Sequence, residues 1–141
     1  MSLDQNLMFD ENAEQLSTGA STNYLDLANV RNIGAGTPLY VESLVRTAMT
    51  DGASDSTQTL TLETDDNTSF SSPTTIQTIG TFAATSAVGT KLSVGLVISD
   101  SVQRYIRVKY TVANGNLTTG KFSTYITTLP SVDTAYADGI A

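Results

Sequence analysis

Hydrophobic and polar residues alternate with a period of two along most of the chain, and no stretch sustains the spacing of an amphipathic helix. In RYIRVKYTV at 104–112 the apolar face comprises Ile106, Val108, Tyr110 and Val112. Arg107 and Lys109 fall on the opposite face. Because successive side chains of a strand point to opposite sides, this pattern predicts a β-strand with one face on the core.

The same alternation predicts further strands at 23–27, 39–47, 57–64, 75–82, 91–99 and 120–129, with a short edge strand around residues 14–17. The segment TIQTIGTF is less regular, since Ile76 and Phe82 share one face while Ile79 falls on the other. A bulge near Gly80, or burial of both faces, explains that pattern.

Turn-forming residues separate the strands: IGAGTP at 33–38, TDGASDS at 50–56, DDNTSFSSP at 65–73 and ANGN at 113–116. The pair Asn114-Gly115 suits the positive φ angles of a tight hairpin. About eight short strands with this spacing predict an all-β antiparallel sandwich, with the jelly roll as the eight-stranded form. The sandwich is expected to span residues 14–129.

The two ends lack this pattern and are predicted to be extended arms. Residues 1–13 carry apolar side chains in an acidic setting, and residues 130–141, PSVDTAYADGIA, begin with a proline. Arms with a few apolar anchors suit the grasping of a neighbouring molecule, although many such ends simply fray. If residues 1–13 form an arm, their deletion should weaken partner binding and leave thermal unfolding nearly unchanged.

Composition narrows the classes of function. Of 141 residues only 15% are charged, and the formal net charge of −7 argues against a nucleic-acid partner. The chain has no Cys and no His, so thiol chemistry and the commonest general base are absent. No apolar run approaches membrane-spanning length. The sequence therefore predicts a soluble, non-enzymatic protein without a cofactor or a resident metal.

The adjacent carboxylates Asp65 and Asp66 are the most conspicuous candidate chemistry. Neighbouring residues at a strand end point in opposite directions, so they are poorly placed to act as an acid–base pair. The stretch also lacks the Gly and the distal Glu of an EF-hand loop. An ion site stays open as the minor alternative, and a polar corner that ends the preceding strand is the favoured interpretation.

Three longer stretches resemble, in the same order, parts of the capsid cement proteins of the Bordetella-phage type, from tailed phages with short tails. They are STNYLDLANVRNIGAGTPLYV (21–41), TLTLETDDNTSFSSPTTI (59–76) and RYIRVKYTVANGNLTTGKFSTYI (104–126). The resemblance covers residues 3–128, and the C-terminal tail is longer than the family pattern. It implies a jelly-roll protein on the outside of the phage head that fastens neighbouring major capsid subunits and has no catalytic residues.

With this resemblance we expect a structural virion protein, present in the host cytoplasm before assembly and on the outer capsid surface afterwards. Its expected partners are the major capsid protein and further copies of itself, as a homodimer or homotrimer. The candidate interface residues are Leu3, Leu7, Met8, Phe9, Arg107, Lys109 and Tyr136. The alternative is a carbohydrate- or receptor-binding sandwich whose tyrosine rings stack on sugars: Tyr24, Tyr40, Tyr105, Tyr110, Tyr125 and Tyr136.

Overall fold

A computed structural model describes residues 8–27, 39–96 and 102–127. Its strands are β1 (Met8–Glu14), β2 (Gly19–Ala20), β3 (Leu25–Asp26), β4 (Tyr40–Thr50), β5 (Thr57–Asp65), β6 (Thr74–Phe82), β7 (Lys91–Gly95), β8 (Tyr105–Ala113) and β9 (Thr119–Thr127). No helix occurs within these ranges, and so nothing there could cross a membrane as a helix. The prediction of an all-β fold is confirmed.

The strands form two antiparallel sheets with the topology of a jelly roll. One sheet has the order β1-β9-β4-β7 and the other β2-β8-β5-β6, with β3 also paired to β8. Since β2 and β3 pair with the same strand, they act as one interrupted strand, which leaves eight strands in two Greek keys. The strands β8 and β9 lie in different sheets, so the turn at Asn114 and Gly115 has the predicted positive φ angles (68° and 99°) but forms no hairpin.

The core lies between the two sheets and contains the apolar strand faces that the alternating pattern predicted. Leu60 and Leu62 of β5 are fully buried, as are Ile106 and Val108 of β8. Their sequence neighbours Thr61 and Arg107 point away from the core and are partly exposed. Burying one face of each strand removes apolar side chains from water, which is the main force that holds the two sheets together.

The irregular strand β6 contains the predicted bulge. Its register against β5 shifts between the pairs Leu60↔Gly80 and Thr61↔Thr78, so Ile79 is the extra residue. The bulge turns Ile79 into the core, and Phe82 is buried there as well. A second register shift, between the pairs Leu62↔Gln77 and Glu63↔Thr75, leaves Ile76 as another extra residue. Two irregularities together therefore accommodate a segment whose apolar positions do not fit a single period of two.

The prediction of an N-terminal arm over residues 1–13 is wrong from residue 8 onward. Residues 8–14 are β1, which pairs with β9, and its side chains Met8, Phe9 and Asp10 are buried. Phe9 belongs to the central apolar cluster. The predicted deletion of residues 1–13 would therefore remove part of the fold. Leu3, Leu7, Tyr136 and the tail at 130–141 lie outside the described residues.

Candidate functional site

The outward face of β8 carries the basic residues that the sequence placed there. Arg107 lies opposite Glu63 of β5, and its Nε donates a hydrogen bond of 2.5 Å to Glu63 Oε1. The Glu63 side chain is only 4% exposed and that of Arg107 is 24% exposed. Lys109 lies opposite Thr61, is exposed, and makes no ion pair within the described part of the chain. Arg107 is therefore held rigidly while Lys109 projects into solvent.

Phe70 packs under Arg107 from the loop between β5 and β6. The guanidinium carbon of Arg107 lies 4.2 Å from the centroid of the Phe70 ring, which is a cation–π contact. Phe70 has a φ of 48°, a left-handed conformation that a bulky residue adopts only when its surroundings stabilise it. The packing of its ring on Arg107 provides part of that stabilisation, so the loop is fixed on the sheet.

Tyr24 and Tyr105 extend these aromatic contacts towards the edge of the sheet. The ring centroid of Tyr24 lies 6.2 Å from that of Phe70 and 5.3 Å from that of Tyr105. The Arg104 guanidinium carbon lies 5.1 Å from the Tyr105 centroid, and Arg104 donates bonds of 2.9 and 3.0 Å to the two carboxylate oxygens of Asp26. These hydrogen bonds raise the pKa of Arg104 above its ordinary value.

We call this set the aromatic–arginine cluster. Its members are Tyr24, Asp26, Glu63, Phe70, Arg104, Tyr105 and Arg107. Tyrosine and arginine are enriched among the residues that dominate protein–protein binding energy. Tilted and edge-to-face ring contacts, cation–π contacts and ion pairs hold these side chains in place, so little side-chain entropy is lost when a partner binds them. Tyr24, which is 44% exposed, and Arg104, whose side chain is 54% exposed, are the parts of the cluster that are most open to a partner.

Asp65 forms the corner that the sequence favoured. Its Oδ2 accepts a 2.8 Å bond from the Ser72 backbone N–H, and its Oδ1 accepts bonds from the Asp66 N–H at 2.6 Å and the Asn67 amide at 3.3 Å. The Ser72 bond, followed by the Asp66 bond, lowers the pKa of Asp65. Both carboxylate oxygens thus bind the local chain, which confirms the structural interpretation.

Asp66 points outward and accepts a 3.1 Å bond from the Asn67 amide. The described ranges contain no group of three or more acidic side chains arranged to hold a metal ion.

The predicted interface residues do not form one surface. Arg107 and Lys109 lie together on the outer face of β8, whereas Met8 and Phe9 are buried in β1 of the other sheet. Sequence reasoning missed Phe70 as a site residue and listed Tyr24 only as a sugar-stacking ring. The one available signal was a lone aromatic residue, Phe70, in an otherwise polar turn.

Comparison with protein families places the chain among phage proteins. The model of the Bbp16 family, a family of Bordetella phage proteins, matches residues 12–126. The matched region contains the whole aromatic–arginine cluster and β2 to β8, with all but the last residue of β9. The chain has no significant match among curated proteins.

Proposed function

The chain belongs to the Bbp16 family of Bordetella phage proteins, and from this membership we propose that it is a capsid cement protein. In this proposal it binds the outer surface of the phage head and bridges neighbouring major capsid subunits. The observation that carries the proposal is the family match across 12–126. The jelly-roll fold, which serves in many viral capsid proteins, and the preorganised cluster on its outer sheet face support it.

The aromatic–arginine cluster has features suited to a protein partner. Arg104 and Arg107 are each paired with a carboxylate, so they do not present the unpaired positive charge that phosphate binding requires. A repeating shell lets one molecule make several weak contacts, and the second contact then forms at an effective concentration of about millimolar. We propose the major capsid protein and further copies of this chain, as a dimer or trimer, as partners.

The proposed role needs no catalysis, cofactor, nucleic acid or membrane. The polar groups of the corner at Asp65 bond within that corner, and Arg104 and Arg107 each bond a carboxylate of the cluster. These bonds define the local shape of the surface. Such a surface binds a neighbour through complementary shape and contacts and does not need to catalyse a reaction.

Counting the protein in purified particles tests the proposal. A cement protein should be present in a fixed ratio to the major capsid protein, because it occupies equivalent positions on a lattice. Quantitative mass spectrometry of gradient-purified particles gives this ratio. A content of only a few copies per particle would contradict a lattice role and place the protein elsewhere in the virion.

Carbohydrate binding is the second candidate, and one observation favours it. Tyr24 exposes its ring beside the paired Arg104 and Asp26, which is a combination of a stacking surface and polar groups. Tyr110 and Tyr125 are buried, so they take no part in sugar stacking. Glycan binding by the isolated protein that Tyr24→Ala abolishes, with no binding to capsid shells, would favour this candidate.

A further inference from the structure

Asp10 of β1 is fully buried, although a charged side chain is costly to remove from water. Its Oδ1 accepts a 2.7 Å hydrogen bond from the Thr22 N–H, and its Oδ2 accepts a 3.3 Å bond from the Gln15 side-chain amide. Both oxygens act as acceptors, as those of an ionised carboxylate do. Within the described residues no cation pairs with Asp10, so hydrogen-bond donors from neighbouring segments stabilise its charge.

Tyr110 of β8 brings a further polar group to this carboxylate. Burial, and then the negative charge of Asp10, raise the pKa of Tyr110 well above its ordinary value. A hydrogen bond to Asp10 acts in the same direction, and the bond to Thr124 opposes it. The Tyr110 hydroxyl lies 2.7 Å from Thr124 Oγ1, which lies 2.9 Å from Ser43 Oγ. A chain of hydroxyls thus runs from β4 through β9 and β8 to Asp10 and joins the two sheets.

The pairing of β1 with β9 is irregular on both sides of Asp10. Met8 lies opposite Tyr125 and Asp10 lies opposite Thr124, so β1 advances by two residues while β9 advances by one. A second shift follows between Asp10 and Ala13. Each shift leaves one residue of β1 without a partner in the ladder, which weakens the pairing of the two strands. Something else in the structure must therefore favour this register.

A regular strand would place the side chains of this segment differently. Without the bulge after Met8, Phe9 would lie opposite Thr124. Because Thr124 faces the core, Phe9 faces the core with or without the bulge. Asp10 would then lie opposite Ser123 and point out of the sandwich, since successive side chains of a strand alternate. Among residues 8–10, Asp10 is thus the side chain whose direction depends on the bulge.

We propose that the buried carboxylate of Asp10 selects the bulged register of β1 against β9. In this register the carboxylate meets the donors at Gln15, Thr22 and Tyr110, and in the regular register these donors lose their acceptor. Buried polar groups are known to specify one pairing among several in other proteins. Since β1 is the edge strand of its sheet, the bulged register also makes it a poor template for pairing with another chain. The inference does not depend on the proposed function.

Substitution of Asp10 by threonine tests this role. Asp10→Thr removes both acceptor oxygens and introduces a side chain that suits a regular strand. In NMR spectra of the labelled full-length variant, the cross-strand backbone contacts of residue 10 should shift by one residue, from Thr124 to Ser123. The Thr22 N–H loses its acceptor and should exchange with solvent at least about tenfold faster. The control Glu11→Thr makes the same substitution at the exposed neighbouring position, so it should keep the wild-type register and change this exchange by less than about twofold.

A folded Asp10→Thr variant in which residue 10 stays opposite Thr124 would overturn the proposal, because the rest of the chain would then set the register. If Asp10→Thr does not fold, Asp10→Asn decides, since it keeps the shape of the side chain and replaces one acceptor oxygen by a donor. It should show a second set of β1 signals in the shifted register. A single set of signals in the wild-type register would overturn the proposal.

Discussion

At the scale of single residues, three buried acidic side chains are stabilised by different kinds of partner. Asp65 accepts hydrogen bonds from the backbone of its own corner, whereas Glu63, two residues earlier, pairs with Arg107 across the strands. Glu42 of β4 is fully buried and accepts a hydrogen bond from the Tyr125 hydroxyl. The partners of Asp65 lie within seven residues of it, so the local sequence can indicate this corner. The partners of Glu63 and Glu42 lie on strands that are distant in the sequence, so the local sequence cannot indicate those pairs.

The corner of Asp65 makes stability depend on acid pH. The pKa of Asp65 is lowered below 3.8 in the folded protein, so the unfolded chain binds the proton more readily. The stabilisation is present above pH 3.8 and is lost as the pH falls through the lower, folded-state pKa. Denaturant unfolding from about pH 5 to about pH 2.5 should therefore show a shallower loss of stability for Asp65→Asn than for the wild type.

The exposed Asp66 provides the control for this experiment. Asp66→Asn should stay closer to the wild-type profile than Asp65→Asn does, since the exposed Asp66 side chain accepts a bond from the Asn67 amide and the backbone N–H bond of residue 66 to Asp65 is retained. If Asp65→Asn and the wild type lose stability in parallel, the hydrogen bonds at Asp65 do not favour its charged form.

At the scale of elements, the irregular pairing of β1 explains why the alternation of hydrophobic and polar residues did not predict it as a strand. Its register against β9 shifts twice, and Asn12 has a φ of 51°, so its buried residues do not alternate. Asp10 ties β1 to the other sheet, because its Oδ1 accepts a 2.7 Å bond from the Thr22 N–H. The Asn23 N–H donates to the Phe9 carbonyl at 3.0 Å. The strand therefore closes one side of the sandwich.

Phe9→Ala tests this role of β1. Phe9 is fully buried in the core, so its truncation should lower the free energy of unfolding by about 3–5 kcal/mol. Glu11→Ala in the same strand removes an exposed side chain and should change it by less than about 0.5 kcal/mol. Urea denaturation measures both. A Phe9→Ala variant as stable as the wild type would restore the idea that this segment is an arm.

At the scale of the whole molecule, charge and rigidity are distributed unevenly over the sandwich. The aromatic–arginine cluster lies on the outer face of one sheet, and β6, β7 and the loop that joins them contain no acidic residue. The ring contacts and ion pairs of the cluster preorganise it, which lowers the entropy lost when a partner binds.

A cement role predicts a change in the particle as a whole. Shells redecorated with the protein should disassemble at a higher temperature than the same shells without it, because a ligand that binds only the assembled state stabilises that state. Calorimetry or light scattering during heating measures the difference. Shells of equal stability with and without bound protein would mean that the protein decorates the surface without reinforcing it.

The sequence by itself determined the strands with regular alternation, the bulge near Gly80 and the corner at Asp65. These features depend on neighbouring residues: side-chain direction alternates along a strand, and a turn bonds its own backbone. That is why β5 and β8 were predicted within one residue at each end.

Only the tertiary structure decided that Phe9 and Glu42 are buried, and that Tyr24, Phe70 and Arg107 meet on one face. It also decided that β6 and β7, which end different sheets, lie next to each other. Period-two alternation tells which side chains share a face, but not what covers that face. Which strands become neighbours depends on how the jelly roll winds, and that brings together residues far apart in the chain.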